Sequence, residues 1–261
     1  MHPKKRFGQH FLRDKNIIQR IIQVIKPQPT DHIVEIGPGL GALTTELLPI
    51  VGKMDAVEID RDLVIKLQAV CSKLGELHIH QMDVLDFLFV ELTQKKHSLR
   101  VVGNLPYNIS TPLIFHLLNE IDCIYDMHFL IQKEVADRIA AQSGSKKYGR
   151  LSVMVQYFCQ AESLFTVAPE SFYPAPKIQS TVIRLTPHAK IALPAKNKEL
   201  FAQIVKQGFN QRRKTIHNSL KSLISTEQLA ALNIDTNARA EQLTINDFVR
   251  IANLLVNPNC V

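Results

Sequence analysis

The sequence predicts an α/β domain built on a parallel sheet, followed by a smaller all-helical domain. Three observations carry this prediction. From about residue 30, short β-rich runs alternate with helical stretches, the pattern of a parallel sheet covered on both faces. The first of these runs ends in a glycine loop that opens a helix. After Thr186-Pro187 the alternation stops, and the remaining chain reads as helix throughout.

The elements follow in order. Residues 32–37 (HIVEIG) form an apolar, β-branched run, and residues 42–50 carry Leu43, Leu47 and Leu48 on one helical face. Residues 53–60 predict a second strand, with Asp60 as the N-cap of a helix over 61–74. Residues 76–82 alternate apolar and polar and predict a third strand; residues 99–103 predict a fourth. Thr111-Pro112 then pairs a capping residue with a proline at the first turn of a helix. Strands over 127–131, 161–167 and 178–185 and helices over 133–141 and 149–160 complete the first domain. Four helices, over 198–209, 213–224, 226–232 and 245–256, make the second. The prolines at 187 and 194 bracket a linker, so the domains are expected at 1–187 and 188–261.

At 261 residues, with 46% hydrophobic and 21% charged residues, the chain can bury a sizeable core without staples. Cys71, Cys123, Cys159 and Cys260 are scattered, with no CxxC pair and no metal-ligand spacing; they are expected as reduced thiols of a cytoplasmic protein, and no metal is expected. The basic start Met1-His2-Pro3-Lys4-Lys5-Arg6 is not followed by an uninterrupted apolar run, so neither a signal peptide nor a membrane span is expected. The net charge is +7. Residues 187–261 hold 10 Lys and Arg against 5 Asp and Glu, whereas residues 1–186 hold 21 against 19. Such a local surplus suits a polyanion. A solvated basic face with no partner would carry the same charge, and composition leaves both open.

The loop Glu35-Ile36-Gly37-Pro38-Gly39-Leu40-Gly41 lets a backbone approach a ligand closely. Its GxGxG spacing, with a proline between the first two glycines, disfavours a pyrophosphate cradle. Glu58, at the end of the second strand, is placed to accept the two hydroxyls of a ribose. Asp83, at the end of the third, is placed to receive an adenine amino group. Loop and acids would share the crevice at the carboxyl ends of the strands. Together they match an adenosine without pyrophosphate, such as S-adenosylmethionine; each acid alone could equally cap the next helix.

Asn104-Leu105-Pro106-Tyr107 follows the fourth strand. An adenine amine is a poor nucleophile because its lone pair is delocalised into the ring. The Asn104 oxygen and a backbone carbonyl held by Pro106 can accept its hydrogens and draw the nitrogen toward a tetrahedral shape. The Tyr107 ring can stack on the base, and orientation toward a sulfonium methyl supplies the remainder. As an isolated tetrapeptide this would be only a turn. Phe172, in the stiff loop Phe172-Tyr173-Pro174-Ala175-Pro176-Lys177, is expected to stack on the other face of an extruded base, with a core plug as the alternative.

With these motifs the chain resembles the small-subunit ribosomal RNA adenine dimethyltransferases over nearly its whole length. The resemblance rests on Arg6-Phe7-Gly8-Gln9-His10-Phe11-Leu12, the glycine loop, Val57-Glu58-Ile59-Asp60 and Gly103–Thr111. It continues through Gln132-Lys133-Glu134, Tyr148-Gly149-Arg150-Leu151-Ser152, the Phe172 loop and Phe209-Asn210-Gln211-Arg212-Arg213-Lys214-Thr215. It implies a Rossmann-like class I methyltransferase sheet and S-adenosylmethionine bound at His10, Leu12, Gly37, Gly39, Glu58, Asp83 and Asn104. It also implies dimethylation of two adjacent adenosines near the 3′ end of the small-subunit RNA, on a partly assembled subunit. His10 replaces the family's usual Asn, and His217 stands where Arg is usual. Arg212, Arg213 and Lys214, then Lys146, Lys147 and Arg150, are the expected contacts to the RNA backbone, and a monomer is expected. An adenine methyltransferase of the large-subunit type, a nicotinamide-dependent dehydrogenase and an RNA-binding assembly factor are the alternatives.

Overall fold

The structure, a computed structural model, describes residues 9–211 and 213–256. Arg6, Phe7, Gly8, Arg212 and Cys260 lie outside the described residues. The chain divides into two compact units: residues 1–136 with 160–187, and residues 137–159 with 188–261. The expected break at 187/188 falls where the second unit resumes. Residues 137–159, which the strand–helix alternation assigned to the first domain, group with the C-terminal helices instead. Local pattern shows that a segment is helical but not which core its apolar face joins.

In chain order the first unit contains β1 (Phe11–Leu12), α1 (Lys15–Ile25), β2 (His32–Ile36), α2 (Thr44–Val51), β3 (Lys53–Val57), α3 (Arg61–Cys71), β4 (Glu76–His80), β5 (Leu99–Asn104), α4 (Ser110–Asn119) and β6 (Ile124–Gln132). The short helix α5 (Lys133–Ile139) and α6 (Arg150–Phe158) come next in sequence; β7 (Cys159–Val167), β8 (Phe172–Tyr173) and β9 (Ser180–Pro187) complete the sheets. Seven strands stand in the order β4-β3-β2-β5-β6-β9-β7. The five from β4 to β6 run parallel, and β9 runs antiparallel to β6, so the sheet is mostly and not wholly parallel. The chain goes outward from β2 to β3 and β4, then returns to place β5 on the other flank of β2. The carboxyl ends of β2 and β5 therefore form a topological switch point, where open α/β sheets hold ligands.

Burial explains the strand residues. β2, β5 and β6 lie inside the sheet and are almost continuously buried, as strands covered on both faces must be. Most of their residues are apolar, and the charged ones among them, such as Glu35, Arg100 and Asp126, are buried with hydrogen-bond partners. Two helices of the first unit also depart from the expectations. Helix α1 precedes the first predicted strand: Asp14 caps it by accepting from the Asn16 and Ile17 N–H groups, and Ile18, Ile21 and Ile25 bury one face. Helix α4 starts at Ser110, so Thr111 is its second residue and not its cap. The Pro106 carbonyl accepts from the N–H groups of Ile109 and Ser110, and the turn winds directly into the helix.

Asp60 caps α3 as expected, accepting from Asp62 N–H at 3.1 Å. Arg100, buried at the start of β5, donates to Asp126 at 3.0 and 2.7 Å, to Asp31 at 2.6 Å and to the Ile25 carbonyl at 2.7 Å. A guanidinium held by two carboxylates stays charged although buried.

The second unit packs α6 with α7 (Lys198–Asn210), α8 (Ile216–Leu220), α9 (Thr226–Ala231) and α10 (Ile245–Leu255) around Phe201, Ile204, Phe248 and Ile251. The helix expected over 213–224 is reduced to α8. Thr215 is extended and caps α8 through Asn218 N–H, so Arg213 and Lys214 precede the helix instead of opening it. Cys71, Cys123 and Cys159 are free thiols. Among the described residues no helix is long and apolar enough to cross a membrane, and no group of three His, Cys, Asp or Glu is placed to hold a metal ion.

Candidate active site

A cavity of about 290 Å³ opens at the switch point. It is lined by His10, Phe11 and Leu12 from the N-terminal segment, Gly37 to Leu40 from the glycine loop, Glu58 and Ile59 after β3, Asp83 after β4, and Asn104 to Asn108 after β5. Apart from the N-terminal segment, these residues, remote in sequence, meet because each lies at the carboxyl end of a parallel strand.

The glycine loop is shaped by backbone that other residues resist. Gly39 has φ +59°, and a Cβ there would stand 3.1 Å from the Phe11 ring. Gly103 makes a different approach: its Cβ would lie 2.6 Å from the Ile36 carbonyl, so β5 could not sit this close to β2 with any side chain there. The loop aims the Gly39 N–H at the Glu58 carboxylate (3.2 Å), whose other oxygen accepts from Asp60 N–H (2.9 Å). Burial pushes the Glu58 carboxyl up, while these two N–H groups and that of Ile59 act in the opposite direction. The carboxylate also lines the cavity, where it can accept from a pair of ribose hydroxyls. Asp83 is less enclosed, and one of its oxygens accepts from Leu85 N–H at 3.0 Å. Glu35, at the end of β2 on the cavity floor, is buried, and its carboxyl is pushed up to about 7 by that burial; the Thr44 hydroxyl donates to it at 2.6 Å.

The turn after β5 is held at every residue. The Asn104 amide nitrogen donates to the His10 carbonyl at 2.8 Å, so its oxygen is the atom left to accept. The Pro106 carbonyl is occupied by the helix start, which leaves the Leu105 carbonyl, in the peptide bond that Pro106 stiffens, as the backbone acceptor of the turn. The Tyr107 hydroxyl shares a 2.7 Å hydrogen bond with the buried Ser180 Oγ, and burial pushes the phenol up, so it stays neutral. The His10 imidazole stacks on Tyr107 with centroids 5.3 Å apart and an interplanar angle of 28°. Its Nδ1 lies 2.7 Å from the Pro174 carbonyl. A carbonyl only accepts, so Nδ1 carries the proton. Sequence reading did not find Ser180; no local pattern marks a buried serine as the partner of a tyrosine 73 residues away.

His10, Leu12, Gly37, Gly39, Glu58, Asp83, Asn104, Pro106 and Tyr107 are all brought together at the cavity. Phe172 is not. It is 4% exposed and packs in the core with Leu12, Ile18 and Ile21, outside the cavity lining, so its expected stacking position is corrected. The cause is the pleat: Phe172 pairs with Leu12 on the inward side of the β1–β8 ribbon, and Tyr173 takes the outward side.

The expected RNA contacts lie in the second unit. Lys146, Lys147, Arg150, Arg213 and Lys214 are exposed, and Lys147 also pairs with Asp137 at 2.8 Å. Arg212 is outside the described residues. The His217 ring bonds the Thr226 hydroxyl at 3.2 Å, a helix-to-helix contact within the unit.

The family model for ribosomal RNA adenine dimethylase matches residues 1–257. A Marinomonas protein described as ribosomal RNA small subunit methyltransferase A is 51% identical over 97% of this chain and 95% of its own. A Coxiella burnetii protein of the same description is 51% identical over 98% of both chains. Among solved structures, a dimethyladenosine transferase from Plasmodium falciparum superposes with TM-score 0.81 at 26% identity, covering 93% of this chain and 96% of that one. The 23S rRNA methyltransferase ErmE superposes with TM-score 0.73 at 25% identity, covering 95% and 100%. The sheet order, the cavity at the switch point and these full-length matches lead to one conclusion: the chain belongs to the ribosomal RNA adenine dimethylase family.

Proposed function

We propose that this enzyme transfers methyl groups from S-adenosylmethionine to the exocyclic amines of two adjacent adenosines near the 3′ end of small-subunit (16S) ribosomal RNA, during small-subunit assembly. The observation that carries the reading is the meeting of Glu58, Asp83 and the Asn104–Tyr107 turn at one cavity. Glu58 would hold the ribose hydroxyls, Asp83 the adenine amino group, and His10, Leu12, Gly37 and Gly39 the remainder of the cofactor, which supplies an electrophilic methyl when bound. The Asn104 oxygen and the Leu105 carbonyl accept the two hydrogens of the target amine, and Tyr107 stacks on its base. The amine's lone pair is thereby turned out of the ring and toward the methyl. Lys146, Lys147, Arg150 and Arg212 to Lys214 would position the RNA backbone, and such contacts carry little sequence information. The enzyme would act in the cytoplasm as a monomer.

A large-subunit target is the second reading, because the ErmE fold covers the same length. Identity of about half to relatives described as small-subunit enzymes supports the first. Labelled S-adenosylmethionine offered with purified small and large subunits separates the two. Label in small-subunit adenosines is expected; label confined to the large subunit refutes the proposal. Asn104→Ala is expected to abolish turnover while RNA binding persists, and full turnover in that variant would refute the role given to the turn.

A further inference from the structure

The β1–β8 ribbon has two faces. Leu12 and Phe172 form its inner face, in the core. Phe11 and Tyr173 pair across the ribbon on its outer face. Phe11 lines the cavity and packs against the glycine loop; Tyr173 is 44% exposed. Arg13, two residues beyond Phe11 and therefore on the same face, holds its guanidinium carbon 4.0 Å from the Tyr173 ring centroid. The loop after Tyr173 is fixed to the cavity wall by the bond between the Pro174 carbonyl and His10 Nδ1. An aromatic row thus runs outward from the cavity and ends in an exposed cation.

We infer that this face, centred on Tyr173 and Arg13, is a platform for the unpaired nucleotide beside the adenosine being methylated. The inference rests on the proposed function. A base drawn into the cavity leaves its neighbour unstacked at the rim. An exposed aromatic ring gives that neighbour a new stacking partner, and a guanidinium beside it can meet either a base face or a phosphate. The core does not need the Tyr173 ring, because Phe172 fills the inner face. The Arg13–Tyr173 contact keeps the ring oriented at small cost, since the cation remains in water. A peptide partner would gain less here, because the row is a single ring wide and ends in the exposed Arg13 cation, which favours a polyanion.

The test uses the full-length protein, small-subunit particles from cells lacking the enzyme, and labelled S-adenosylmethionine. Tyr173→Ala is expected to raise KM for the particles at least about fivefold, the lower end of what one lost base stack costs. Its kcat, S-adenosylmethionine affinity and melting temperature should stay at wild-type values. Tyr173→Phe should restore KM, and Arg13→Ala should raise it with a shallower salt dependence. An unchanged KM in Tyr173→Ala overturns the platform while leaving the function standing. A rise in KM accompanied by weaker cofactor binding or a lower melting temperature overturns it too, by showing a structural role. Absence of labelling by the wild-type protein overturns the functional reading and the platform with it.

Discussion

Replacing Ser180 by alanine tests whether the Tyr107 ring must be held from its far end. Ser180 lies on β9 with 0% exposure, and its Oγ stands 2.7 Å from the phenol oxygen. A methyl group in its place leaves the hydroxyl of a half-buried tyrosine without that bond, and the fully buried position admits little water to replace it. Leaving a buried donor unmatched costs about 1–2 kcal/mol. If that energy fixes the ring, kcat/KM should fall about five- to thirtyfold. Tyr107→Phe removes the same bond from the other side and keeps the stacking face. The double variant removes both polar partners, which is cheaper than orphaning either one. Each single change should therefore lose a similar factor, and the double should lose no more than a single. The assay is steady-state methyl transfer to small-subunit particles, with melting temperatures measured alongside. Additive losses in the double variant, or wild-type kcat/KM in Ser180→Ala, would refute the positioning role.

Two further outcomes follow from burial. Glu35 has its carboxyl raised from 4.5 to about 7, so the folded state binds its proton more tightly than the unfolded state does. Its contribution is present in full below 4.5 and is lost as pH rises through 7, a change on the order of 3 kcal/mol; Glu35→Gln should flatten urea-denaturation stability between pH 5 and 8, and an unaltered pH profile would contradict this. Phe172→Ala should destabilise the protein by about 3–5 kcal/mol, as other buried phenylalanines do, whereas Phe172→Leu should keep most of the stability. A Phe172→Leu variant that stays fully folded but loses methyl transfer would return Phe172 to the substrate.

Much of the candidate site is legible because its signals are local. The glycine loop, an acid at the end of β3, another after β4 and the Asn-Leu-Pro-Tyr turn after β5 each sit at a strand end, and the parallel alternation by itself implies that strand ends converge. α1 was not among the predicted elements, although Ile17, Ile18, Ile21, Ile22 and Ile25 keep helical period behind the Asp14 cap. The charges that exclude a membrane span, Lys15, Arg20 and Lys26, are what a surface helix places on its outer side.

By itself the sequence determined the α/β class, the loop that shapes the cavity and the chemistry at each strand end. These depend on periodicity and on backbone limits that act within a few residues. Only the tertiary structure decided that Phe172 turns inward while Tyr173 turns out, because a strand's facing is set by the register of its partner, here β1, which lies 160 residues away. The same reason hides the Ser180 bond, the His10 stack on Tyr107 and the grouping of residues 137–159 with the C-terminal helices. Each arises where segments distant in the chain are pressed together, and burial, not local pattern, selects the partner.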